Sequence, residues 1–141
     1  VPLASFIALL LAAQAFGQAG PLLIQDAWMR QTPGSDVAAV YFTLRNTGNR
    51  VVRVVGAQSP IASHAMIHES SIEGGQSRMR PREQLSVAPG QTVKLEPGGL
   101  HLMLHGLAHP VAVGQSVPIT LLLEGGGTVS ANAQVRPLSA Q

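Results

Sequence analysis

From Leu22 onward the apolar residues come in short runs broken by turn residues, and no run holds a helical period. Nine stretches read as strands: 22–29, 37–44, 50–57, 61–70, 77–87, 91–95, 100–107, 116–124 and 128–135. Turn signals stand between them, among them Thr32-Pro33-Gly34-Ser35-Asp36, Asn46-Thr47-Gly48-Asn49, Gly74-Gly75, Pro89-Gly90, Pro97-Gly98-Gly99 and Gly125-Gly126-Gly127. Short strands punctuated roughly every 8–12 residues predict an all-β fold, a Greek-key barrel or sandwich.

The sharpest alternation is Leu100-His101-Leu102-Met103-Leu104-His105. On a strand the three leucines face the core, and His101, Met103 and His105 share the opposite face. Taken alone, this pattern suits an exposed face as well as a metal site. Upstream, a two-residue turn at Gly74-Gly75 makes a hairpin in which Ser70 opposes Met79. His68 then lies one same-face step from Met79, a diagonal neighbour. A three-residue loop would put the two on opposite faces. His64 and Met66 share the face of His68 and are further candidate donors, as is His105.

The start of the chain reads differently. Residues 1–25 carry no charged side chain, and 3–13 are apolar apart from Ser5. Small residues follow, with an A-x-A match at 13–15 and a looser one, Gly17-Gln18-Ala19, just before the first strand. This predicts a signal peptide over 1–19 and a single domain over 20–141. The apolar run falls short of the roughly 18–20 residues that span a bilayer, so no stable membrane insertion is expected after its removal. It lacks an initiator Met and a basic lead-in.

Composition narrows the chemistry. The 141 residues are 45% hydrophobic and only 11% charged, with a net charge of +2. The one tight basic cluster, Arg78-Met79-Arg80-Pro81-Arg82, has no interleaved aromatics, which argues against a nucleic-acid partner. The chain has no Cys. That excludes disulfides, thiolate metal sites and the thiolate-ligated blue-copper centre. Among only five His and four Met, His68, Met79, His101 and Met103 offer two imidazoles and two thioethers. Thioether sulfur is soft and uncharged and suits Cu(I) better than Zn, Mg or Ca. A soft-metal site built without thiols fits an oxidising compartment such as a periplasm. Imidazole binds metal only when neutral, so affinity should fall below a pH of about 6.5.

No enzyme is expected. His68-Glu69 opens a zinc-protease helix motif, but Ile72 stands where its second His belongs. There is no G-x-S-x-G elbow. A metal-free interaction module and a copper-sequestering protein are the competing readings.

Written as a pattern, His68, Met79, His101 and Met103 stand as H, ten residues, M, twenty-one residues, H, one residue, M. This resembles the signature of the PCu(A)C family of periplasmic copper chaperones. The flanking segments agree: Asp26-Ala27-Trp28-Met29-Arg30, Ile67-His68-Glu69-Ser70, Met79-Arg80-Pro81 and Pro97-Gly98-Gly99-Leu100-His101-Leu102-Met103-Leu104. The resemblance runs from about residue 23 to 135. It implies a cupredoxin-like β-barrel that binds one Cu(I) through His68, Met79, His101 and Met103. It also implies delivery of copper towards the CuA site of cytochrome c oxidase, with the CuA subunit or a thiol-disulfide assembly protein as partner. Some relatives add a Cu(II) role through a His- and Met-rich tail; residues 136–141 contain neither residue type.

Overall fold

Alternating apolar and polar positions between Gly- and Pro-rich turns produce ten strands: β1 Leu22–Gln31, β2 Ala38–Asn46, β3 Val52–Gln58, β4 Ala62–Glu73, β5 Gln76–Pro81, β6 Leu85–Val87, β7 Thr92–Leu95, β8 Leu100–Leu107, β9 Ser116–Leu123 and β10 Thr128–Val135. The computed structural model describes residues 20–139, and the signal segment expected at 1–19 lies outside them. Among the described residues no helix is long and apolar enough to cross a membrane.

The hydrogen bonds form one continuous sheet in the order β5-β4-β8-β2-β1-β10-β9-β3-β6, with β7 also paired to β2. β1 is antiparallel to β2 and parallel to β10. β3 and β4 lie near opposite ends of this path yet touch each other. The sheet therefore curls round its core into a barrel-like wall whose β3–β4 seam carries no ladder. The all-β expectation is met. The stretch read as one strand over 77–87 is two: β5 pairs with β4, and β6 pairs with β3 across the seam.

The inner face holds Leu22, Met29, Val40, Leu44, Leu102, Leu104, Ile119 and Leu121, all fully buried. Leu102 and Leu104 point inward as the alternation predicts. One interruption matters for the outer face. The β1–β2 register slips between Gln25 and Trp28, and Asp26 takes φ 55°. Such a bulge inserts one residue and flips the phase of the strand. Leu22 and Ile24 face inward before it; after it Met29 does, while Trp28 turns outward beside Tyr41. Buried Asn46 ties the end of β2 to its neighbours, donating from Nδ2 to the carbonyls of Arg50 and Val87 at 2.7 and 2.9 Å.

Because Leu102 is wholly buried and Met103 is not, the two should differ on truncation. Leu102→Ala should cost about 2–5 kcal/mol, and Met103→Ala much less. Thermal melts of the two metal-free variants check this; the opposite ranking would mean that the faces of β8 are reversed.

Candidate metal centre

β4 and β8 pair antiparallel without a slip, and the register sets three same-face rows: His64 opposite His105, Met66 opposite Met103, and His68 opposite His101. The adjoining hairpin brings up Met79, the last of the four candidate donors. Gly74 and Gly75 both have positive φ, 58° and 78°, as a two-residue type I′ turn requires. Ser70 then opposes Met79 as predicted. Nδ1 of His68 stands 3.2 Å from Sδ of Met79. Two donors sharing an ion at ordinary bond lengths and a tetrahedral angle stand roughly 3.5 Å apart.

The backbone before β8 prepares His101. Pro97 and Gly98 occupy the centre of a tight turn, with Gly98 at φ 87° and the Gly99 N–H donating to the Glu96 carbonyl at 3.0 Å. This is the type II arrangement, in which Pro presets the first central residue and Gly accepts the positive φ of the second. The turn aims the Gly99 carbonyl at two groups. It accepts the Ser70 backbone N–H from β4 at 3.0 Å, and Nδ1 of His101 at 3.0 Å. Only a protonated Nδ1 can donate to a carbonyl, so the lone pair of the neutral ring is on Nε2. His101 is only 4% exposed, and its Nε2 is buried with no hydrogen-bond partner. Alternation placed this ring on the outer face but did not foretell its burial.

The rings of His68 and His101 lie with centroids 5.8 Å apart at 84°. Two imidazoles bound to one ion about 2 Å from each nitrogen have centroids roughly 4.5–6.3 Å apart, depending on the angle at the ion. His101, Met79 and Met103 line one surface depression of about 440 Å³, beside Tyr41 and Ser70. His68 is not among its lining residues and reaches the group through its contacts with Met79 and His101. A larger cavity of about 710 Å³, bounded by residues 32–36 and 107–111, holds none of the four. No group of three or more His, Cys, Asp or Glu among the described residues is placed to hold a metal. The further side chains with a lone pair for a soft ion on this face are the thioethers of Met79 and Met103, with Met66 in the row beside them.

The structure also places the remaining candidates. His105 lies 5.8 Å from His68 and 6.0 Å from His64, ring to ring. Burial, and then the neighbouring His101, His105 and His64, lower the pKa of His68 below its ordinary value. Arg78, Arg80 and Arg82 are paired within the hairpin, the first two with Glu73 and the third with Glu69. Sequence reasoning missed the aromatic flank of the site. Trp28 and Tyr41 stack with centroids 4.7 Å apart, Tyr41 lies 6.5 Å from His101, and Arg30 and Arg136 sit over the rings. The one local signal was Asp26, a residue type that tolerates positive φ.

Residues 22–135 match the family described as "Putative lipoprotein LpqE-like". A curated relative, "Putative lipoprotein Lxx21020" of Leifsonia xyli subsp. xyli, is 33% identical over 123 residues, which is 86% of this chain and 74% of the relative. The chain belongs to the LpqE-like family. Its fold is that of PCuAC domains, cupredoxin-like and all-β, as the sequence resemblance implied. The solution structure of Cu(I)-bound DR1885 from Deinococcus radiodurans is 32% identical with a TM-score of 0.69, covering 91% of this chain and 87% of its own. The copper-bound PCuAC domain of PmoF2 superposes with a TM-score of 0.70 at 24% identity, covering 86% and 96% of the two chains, a likeness of fold alone.

The lowered pKa of His68 predicts an acid sensitivity of the metal-free protein. Below an unfolded-state value of about 6.5 the unfolded chain takes up a proton that folded His68 resists, so protonation favours unfolding. The contribution is fully present above that pH and is lost as pH falls through the folded value. Melts from neutral pH to pH 5 should therefore show a smaller fall in Tm for His68→Gln than for the parent. An equal fall in both would show that His68 carries none of the effect.

Proposed function

We propose that this protein is a copper carrier. It binds one Cu(I) through His68, Met79, His101 and Met103 and passes it on for assembly of the CuA site of cytochrome c oxidase. The observation that carries this reading is Nε2 of His101: a buried ring nitrogen with its lone pair free, its other nitrogen already fixed by the Gly99 carbonyl. A buried polar atom without a partner is costly, and a metal ion satisfies it. A ligating imidazole usually donates its second nitrogen to a carbonyl or carboxylate in this way.

The donor chemistry supports Cu(I) in particular. Two imidazoles alone make a poor cage for a hard ion, and the thioethers beside them, Met79 and Met103, are soft. All four ligands are neutral, so no thiolate locks the cargo in. His101 is buried, whereas Met79 is 52% exposed on an outermost strand. One side of the ion is thus held by a rigid wall and the other by a ligand that an acceptor can displace. The copper-bound states of DR1885 and PmoF2 support copper as the cargo. The lipoprotein descriptions of the family and its relative support an exported location, such as a periplasm. The role is carriage, with no catalysis.

An anaerobic Cu(I) titration against a competing chelator should give one ion per chain, and His101→Gln or Met103→Ala should weaken it roughly tenfold or more. X-ray absorption of the loaded protein should show mixed sulfur and nitrogen scattering; a shell of nitrogen and oxygen alone would overturn the ligand assignment.

Deleting the gene under copper limitation should lower cytochrome oxidase activity, and added copper should restore it. Unchanged oxidase activity with sharply raised copper sensitivity would point to sequestration.

A further inference from the structure

We infer that His64 and His105 form a second metal site, a two-imidazole seat for a divalent transition-metal ion, built from residues other than the proposed Cu(I) ligands. The two residues are directly opposed on β4 and β8 and share a face. Their ring centroids lie 6.0 Å apart at 38°, inside the roughly 4.5–6.3 Å that two imidazoles on one ion require. Opposed residues on an antiparallel pair are held by the ladder itself, so the two rings lose little freedom in meeting at an ion. Among the described residues neither ring hydrogen-bonds to any other group. Both therefore keep an unused lone pair when neutral. His64 is exposed and His105 half-buried, so the seat opens to solvent and water can complete the coordination.

The row formed by Met66 and Met103 separates this pair from His68 and His101. The difference in donors sorts the ions. Thioethers select Cu(I), whereas imidazole with water suits Cu(II), Ni(II) and Zn(II), and Cu(II) binds most tightly of these. The same two strands thus carry a soft site and, two rows along the ladder, a borderline site. His105 also lies 5.8 Å from His68, so the two seats are adjacent on the ladder.

The test is a Cu(II) titration of the full chain without reductant, followed by electron paramagnetic resonance. The parent protein should take up Cu(II) with hyperfine structure from two equatorial imidazoles. His64→Gln and His105→Gln should each weaken Cu(II) binding at least as much as loss of a ligand's hydrogen-bond partner does, roughly 10–100-fold. His64→Gln should leave Cu(I) binding unchanged. Met79→Leu, which should impair Cu(I) binding, should leave the Cu(II) signal as it is. Three results overturn the proposal: no Cu(II) uptake by the parent, uptake by His64→Gln equal to the parent, or loss of the Cu(II) signal in Met79→Leu. Failure of Cu(I) binding in the parent would sink the carrier reading and leave this one standing.

Discussion

The carbonyl of Gly99 is the point on which the site depends. It takes one hydrogen bond from the Ser70 backbone and one from the His101 ring. The first locks β4 to β8 at the end of their ladder; the second fixes which nitrogen of His101 is free. A strand slipped by one residue would turn every side chain to the other face. Were β4 to slip by one along β8, Ile67 would leave the core and all three donor rows would vanish together. Packing and chemistry are therefore set by one register, since the residues that alternate with His64, Met66 and His68 include Ala65 and Ile67, which pack on the core.

Much of this was legible because strand periodicity is short. Leucine on alternate positions of 100–104 was enough to put His101 and Met103 on the outer face, and the paired glycines at 74–75, taken as a two-residue turn, set Met79 against Ser70; the structure has that turn. Other features depend on distant partners. The burial of His101 comes from neighbours on other strands, which a local pattern does not report. Trp28 sits two residues from Asp26, and simple alternation with Leu22 and Ile24 sends it into the core; the bulge reverses that. The division of 77–87 follows from a change of partner, from β4 to β3, at Pro81 and the polar run Arg82-Glu83-Gln84. The meeting of His64 with His105 requires knowing that β8 pairs with β4, a contact forty-one residues apart in the chain. The four-residue spacing entered through family resemblance; the geometry supplies a physical reason for part of it, since ten residues between His68 and Met79 fit a tight hairpin.

The charges of the hairpin belong to the same economy. Glu73 meets Arg78 and Arg80, and Glu69 meets Arg82, all on partly exposed side chains. Pairs of this kind add little stability. Their value lies in where they are. Every residue of β5 is exposed, and the strand ends the sheet. Arginines and a terminal proline on such an edge discourage another strand from pairing there.

That same outermost position has a kinetic side. β5 is bonded to the sheet on one flank only, through β4, while β8 is clasped on both flanks. Local opening begins where fewest contacts must break, so amide protons of the hairpin should exchange with solvent well before those of β8. On the proposed reading, Met79 rides on the part of the molecule that frays first and His101 on a part that frays late. Copper would then leave by a stepwise peeling from the thioether side, with the buried imidazole as its last hold.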